Sequence, residues 1–199
     1  MQKLLIATNN QGKVLEFHEL LKGLPYELVT PKQLGIKLDV EESGTAYLEN
    51  ARIKAAAFAK ASGLLTLADD SGLEVDALNG EPGVRSSRYA GEGASDAQRV
   101  DFLLDKLKNV PEKQRTARFR CVIALAHPDW QLEYCDGSCE GFITFAPRGA
   151  EGFGYDPIFY FPELKKTMAE LPAEVKNRVS HRARAAAKAR LILQEWASR

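Results

Sequence analysis

Apolar residues follow two periods along this chain, and the switches between them mark its elements. Lys3 to Thr8 is a compact apolar run that predicts a buried strand. Asn9-Asn10-Gln11-Gly12-Lys13 then predicts a tight turn, after which Val14, Phe17 and Leu21 recur at helical spacing. Tyr26 to Val29 predicts a second strand, stopped by Pro31. From about Ala46 to Ser62 the pattern is helical, with Leu48, Ala51, Ala55, Phe58 and Ala59 as the buried face. Tyr47, Asn50 and Lys54 share another face, and Gly63 closes the helix. Leu64 to Leu67 predicts a strand running into Asp69-Asp70 and a Ser71-Gly72 turn, and Leu73 to Ala77 predicts the next strand. Ser95-Asp96-Ala97-Gln98 is a capping box, opening a helix with Val100, Leu103, Leu104 and Leu107 on one face and Pro111 at its end. The clearest alternation runs from Arg118 to Leu125. Partner strands are expected at Gln131–Cys139 and Gly141–Phe145, and an Ala-rich helix ends the chain.

Composition narrows the function classes. With 199 residues, 45% of them hydrophobic, the chain can bury a proper core and is expected to be one domain without repeats or linkers. Its 27 basic and 27 acidic residues cancel, which argues against a surface built to hold nucleic acid or an acidic membrane. Three cysteines are an odd number for a disulfide-stapled scaffold and fit a reduced compartment. The first ten residues turn polar too soon for a signal peptide, and no apolar run reaches membrane-spanning length. A soluble cytoplasmic protein is expected.

Candidate chemistry gathers at four places. Two adjacent carboxylates at the end of an apolar strand are costly when unpaired, and make sense beside a divalent cation. If the strand continues through them, Asp69 and Asp70 point to opposite sides; the bland alternative is a turn whose side chains satisfy local amides. The Thr8–Lys13 corner offers a hydroxyl, an amide, an ammonium and free helix N–H groups to a phosphate, although it lacks the glycines of a P-loop. One of Glu41 and Glu42 could join Asp69-Asp70 as a metal ligand, and oxygen donors without His or Cys suit Mg²⁺. Alternatively, the helix dipole alone accounts for them. In Gly149–Phe159, glycines flank Phe153, which could stack on a flat ring, and Asp156 could accept a hydrogen bond. Ser180-His181-Arg182 opens the last helix with further polar groups. His127, Cys135 and Cys139 lack metal-ligand spacing and read as core or strand residues.

In this order and spacing, these motifs resemble one family over essentially the whole chain: the inosine/xanthosine triphosphate pyrophosphatases, which act on non-canonical purine nucleotides. The resemblance rests on Thr8–Lys13, Glu41-Glu42-Ser43-Gly44-Thr45, Glu49-Asn50-Ala51 and Asp69-Asp70-Ser71-Gly72-Leu73. It extends through Pro82-Gly83, Ser87–Gly91, Gly152–Pro157 and Ser180-His181-Arg182. It implies an α/β fold with a long central mixed sheet flanked by helices, in two lobes with the active site in a cleft. It implies hydrolysis of ITP, dITP and XTP to the monophosphate and pyrophosphate with Mg²⁺, in a homodimer of the bacterial type. By this resemblance Thr8, Asn9, Asn10, Gln11, Gly12 and Lys13 cradle the triphosphate, with Lys54 as a further phosphate-side candidate. Glu41 and Asp70 hold the metal, Asp70 accepts the proton of the attacking water, and Ser71 touches the substrate. Phe153, Gly154, Tyr155, Asp156, Lys176, His181 and Arg182 form the base pocket.

The residue chemistry agrees. Attack at the α-phosphorus needs charge neutralised on phosphate oxygens and a carboxylate to hold and deprotonate water. Donors facing a 6-keto group would be left unpaired by the 6-amino group of ATP, a route to rejecting it. A Mg²⁺-dependent nucleotide hydrolase with another base preference is the nearest rival. A nucleic-acid-binding module using the basic last helix is the more distant one, and the neutral charge counts against it.

Overall fold

The computed structural model describes residues 1–129 and 131–198. Its strands are β1 (Gln2–Ile6), β2 (Tyr26–Val29), β3 (Leu65–Val75), β4 (Thr116–Ala126), β5 (Leu132–Ile143), β6 (Phe159–Phe161) and β7 (Lys166–Thr167). Its helices are α1 (Gln11–Leu20), α2 (Tyr47–Ser62), α3 (Asp96–Lys106), α4 (Ala173–Val179) and α5 (His181–Ala197). The strands form one mixed sheet in the order β2-β1-β3-β4-β5-β6-β7. β1 runs parallel to both β2 and β3, with Leu5 opposite Val29 and Thr66, while β6 is antiparallel to β5 and β7. The expected α/β class with a mixed sheet and flanking helices is the observed one.

The chain divides into two compact units. The first holds Met1–Asp70, Cys121–Gly137 and His181–Arg199. Leu4–Ile6 of β1, Leu65–Asp70 of β3 and Cys121–Ala126 of β4 are buried on both faces, which is why β1 and the start of β3 read as continuous apolar runs, whereas β2 and the start of β5 keep exposed positions. On one face Leu4, Ile6, Leu65, Leu67, Cys121 and Ile123 pack on Phe17 and Leu21 of α1 and on the small residues Ala185, Ala186 and Ala189 of α5. On the other, Leu5, Ala7, Ala68, Val122 and Ala124 pack on Ala51, Ala55, Phe58 and Ala59 of α2. The second unit holds Ser71–Arg120 and Ser138–Ser180, and its core joins Leu73, Val75, Phe119, Cys139 and Phe159 to Val100, Leu103 and Leu107 of α3 or its end.

Several elements differ from the sequence expectation. α1 starts at Gln11, so Gln11-Gly12-Lys13 are its first turn rather than part of a preceding loop. The Ser71-Gly72 turn does not form. β3 continues through Asp69, Asp70, Ser71 and Gly72 to Val75, because long-range sheet pairing overrides the local turn preference of these residues. β5 likewise runs unbroken where two strands were expected. Leu48, assigned to the buried face of α2, is 45% exposed in its first turn, and Asn50 is buried in its place. Gly63 does close α2, in the left-handed conformation that glycine adopts without cost.

Candidate active site

Strand geometry separates the two carboxylates of β3. Successive side chains point to opposite faces, so Asp69 continues the Leu65–Leu67 row toward α1 and α5, while Asp70 continues from Ala68 toward α2. Each therefore meets a different set of partners, and each set comes from elements distant in sequence.

Asp69 is 1% exposed and ringed by cations. Lys13 Nζ lies 2.9 Å and Arg182 Nη2 3.3 Å from its Oδ2, with the Cys121 thiol 3.9 Å from the same oxygen. Lys13 is placed by the start of α1. Asn10 caps that helix, accepting the Lys13 N–H at 3.1 Å, and donates its own N–H to Thr8 Oγ1. Arg182, 2% exposed at the start of α5, is also held by Glu16 at 2.6 Å. Burial works to raise the Asp69 carboxyl, but Lys13, Arg182 and Lys54 overcome it and hold the group well below the usual carboxylate range. The same arrangement raises Arg182: burial opposes its charge, and Glu16 and Asp69 outweigh burial.

Asp70 is 5% exposed, and its surroundings are mixed: the Asn50 amide, the Glu42 carboxylate and, more weakly, the Lys13 and Lys54 ammonium groups all act on it. Its Oδ2 accepts from Asn50 Nδ2 at 3.0 Å, and Asn50 Oδ1 accepts the Gly44 N–H at 2.8 Å, tying α2 to the loop before it. One turn later Lys54 donates to Glu42 Oε1 at 2.5 Å and to the main-chain oxygen of Asp69 at 3.0 Å. Burial pushes the Asp70 carboxyl up to about 6; the Asn50 amide pulls the other way, and Glu42 adds to the rise. Lys54 stays charged, because Asp69, Glu42 and Asp70 outweigh the burial that opposes it. A cavity of about 200 Å³ adjoins these groups, lined among others by Thr8, Asn9, Glu42, Lys54 and Phe58. A second, of about 630 Å³, shares Thr8, Asn9, Leu38 and Asp39 with it.

Thus the first unit brings together Thr8, Asn9, Lys13, Glu42, Lys54, Asp69 and Asp70. Glu41 is exposed, and Glu42 is the acid that faces Lys54 and Asp70. Ser71 follows in β3, half-buried. Arg182, expected in a base pocket, is paired with Asp69 and Glu16, and His181 beside it is 5% exposed. Two supporting residues went unassigned from sequence. Asn50 was placed on the right helix face without a role, and Glu16 carried no signal beyond following Lys13 by one turn.

The second unit assembles its own polar cluster. Lys176 of α4 and Asp156 are both buried and pair at 2.5 Å, and the Phe153 N–H donates to the same Asp156 oxygen at 2.9 Å. Lys176 Nζ lies 4.8 Å from the centre of the Phe153 ring. Tyr155 is turned inward, its hydroxyl donating to the Ser86 carbonyl at 2.8 Å. A flat ring, a cation and a carboxylate at one point make a group suited to a planar, hydrogen-bonding heterocycle.

Known proteins give this arrangement a context. Curated dITP/XTP pyrophosphatases match nearly the whole chain: that of Desulforamulus reducens is 52% identical, covering 96% of this chain and 95% of its own. That of Bacillus subtilis is 45% identical over 98% of both. Among solved structures, the Ham1 protein of Coxiella burnetii superposes with a TM-score of 0.89 at 44% identity, covering 98% of this chain and all of its own. The Staphylococcus aureus Ham1 protein does so with a TM-score of 0.87, also at 44% identity and the same coverage. The sequence model of the Ham1 family matches residues 4–191, and the chain belongs to that family.

Proposed function

We propose that this chain, as one catalytic domain, hydrolyses deaminated purine triphosphates (ITP, dITP and XTP) to the monophosphate and pyrophosphate, removing them from the nucleotide pool. The observation that carries the reading is the pair of adjacent carboxylates with opposite surroundings. Asp69 is held by Lys13 and Arg182, whereas Asp70, on the opposite face of β3, accepts from Asn50 and lies in the field of Glu42 and Lys54, where a carboxylate can hold a cation and take a proton from water. The names of the relatives above support the substrate class.

In this reading the α1 N-terminus and Thr8, Asn9, Asn10, Gln11, Gly12 and Lys13 cradle the triphosphate, and Lys54 offsets charge on the phosphate side. Asp70 orients a water and takes its proton as the water oxygen bonds to the α-phosphorus. The bridging oxygen then leaves with pyrophosphate, and Asp70 returns its proton to solvent. Arg182 acts through Asp69, fixing the Lys13 ammonium. Ser71 contacts substrate, the base stacks on Phe153 beside the Gly154 and Tyr155 backbone, and Asp156, Lys176 and His181 read its edge. A donor from Lys176 favours a 6-keto base over adenine.

Mg²⁺ fits the residues present. The donors are oxygens only, and a divalent cation relieves the cost that burial and Glu42 impose on the Asp70 carboxylate. The described residues hold no cluster of three or more His, Cys, Asp and Glu side chains. That accords with an ion usually bound through one or two carboxylates plus substrate phosphates. Asp70 and an acid of the Glu41-Glu42 pair would hold it; when bound it neutralises charge on the transferred phosphoryl group. The three buried cysteines form no disulfide among the described residues, which agrees with a reducing cytoplasm, and no described helix is long and apolar enough to cross a membrane. A homodimer completes the proposal, and sedimentation tests it.

The test is a product assay with Mg²⁺ and ITP, XTP, dITP, GTP or ATP, measuring pyrophosphate and orthophosphate separately. Pyrophosphate from the first three, little from GTP or ATP, and none from Asp70→Asn is the expected result. Orthophosphate as the product would mean cleavage at the γ-phosphate and would overturn the mechanism.

A further inference from the structure

The loop that presents Phe153 is pinned twice. On its near side the Phe153 N–H donates to Asp156, and Gly152 lies so close that a Cβ there would sit 2.2 Å from Asp156 Oδ2 and 3.2 Å from Lys176 Nζ. On its far side the Gly154 N–H donates to Asp96 Oδ2 at 2.6 Å, a bond spanning 58 residues. Gly154 itself has φ +63°, so the chain reverses just after the ring. Asp96 is in turn fixed by Arg99, which bonds its other carboxylate oxygen and donates to the Ser87 carbonyl at 3.0 Å.

Helix capping does not account for this. The N-terminus of α3 is closed by Ser95 and Gln98, whose side chains accept the Gln98 and Ser95 N–H groups at 3.2 and 2.8 Å. The Asp96 carboxylate is left to Arg99 and Gly154. A charge-assisted bond to the amide next to Phe153 fixes the peptide plane from which the ring projects, and so the tilt of the ring.

We infer that Asp96 is a positioning residue for base selection, setting through the Gly154 amide the plane of the Phe153 ring on which the purine stacks. The inference rests on the proposal that Phe153 takes the base. It deepens that proposal by naming a selectivity element outside the base contacts.

The test compares kcat, KM and thermal stability for Asp96→Ala, Asp96→Asn, Phe153→Ala and the Asp96→Ala/Phe153→Ala double variant, with Mg²⁺ and ITP, XTP, GTP or ATP. Asp96→Ala raises KM for ITP and XTP about tenfold with kcat within about twofold, as expected for one lost charge-assisted bond at a binding element, and narrows discrimination against GTP and ATP. Asp96→Asn, which keeps an acceptor for Gly154, recovers much of the loss. The double variant is no worse than Phe153→Ala alone, because both changes act through one ring. An unchanged KM and selectivity in Asp96→Ala while Phe153→Ala raises KM would overturn the inference alone. So would additive effects in the double variant, or an equal loss on all four substrates with a lowered melting temperature. No KM change in Phe153→Ala would overturn the base reading itself, and the inference with it.

Discussion

The two faces of β3 treat chemically identical groups in opposite ways. On the α1/α5 face Asp69 meets Lys13 and Arg182 and is locked in its charged form; on the α2 face burial, with the field of Glu42, pushes Asp70 toward its neutral form against the pull of Asn50, Lys13 and Lys54. Strand alternation alone, with a period of two, converts neighbours in sequence into residents of two environments. The lesson is that a paired-acid motif is not one site with two equivalent ligands. One acid builds the phosphate corner by holding its cations, and the other is left costly and reactive.

The largest effect expected from breaking this contrast is on turnover. Asp70→Asn removes the proton acceptor, and pyrophosphate release from ITP falls about 10³-fold or more, the upper range of general-base contributions. Asp69→Asn acts mainly on stability. It leaves the half-buried Lys13 without its carboxylate and the buried Arg182 with Glu16 alone, which costs about 3 kcal/mol and lowers the melting temperature by roughly 10 °C, read by calorimetry.

The pH dependence has opposite signs for the two. The Asp70 carboxyl is raised in the fold, so its favourable contribution is present in acid and is lost as pH rises through about 6. In metal-free protein Asp70→Asn is therefore more stable than the parent above that pH, by roughly 3 kcal/mol at most, and the gap closes toward pH 4. The Asp69 carboxyl is lowered, so its contribution is present above the ordinary carboxylate pKa and fades only in strong acid. The penalty of Asp69→Asn shrinks there, as urea midpoints against pH will record. The smallest effect is at Asn50. Asn50→Ala removes the amide that favours the charged form, so the Asp70 titration moves up by about one pH unit, the weight of one hydrogen bond to a charged group.

Sequence showed one half of this contrast better than the other. The Thr8–Lys13 corner, the α2 face shared by Asn50 and Lys54 and the alternation in β4 were legible, because each depends on neighbours within two turns or one strand. The continuation of β3 through Asp-Asp-Ser-Gly was not, since these residues are turn formers and only pairing to distant strands makes them extended. Nor was the partnership of Asp69. Arg182 lies 113 residues away, and a basic residue opening a helix looks the same whether it serves a base or a buried carboxylate. Asp96 was visible only as part of a capping box, with no local sign of its bond to Gly154.

The division of labour between the two carboxylates is tested most directly by following their side-chain carboxyl carbons by NMR through a pH titration of the metal-free protein. Asp70 is predicted to titrate at about 6 while Asp69 stays ionised to below the usual carboxylate range. Two titrations together near the ordinary aspartate value, or the reverse order, would contradict the assignment of Asp70 as proton acceptor and Asp69 as anchor of the phosphate corner.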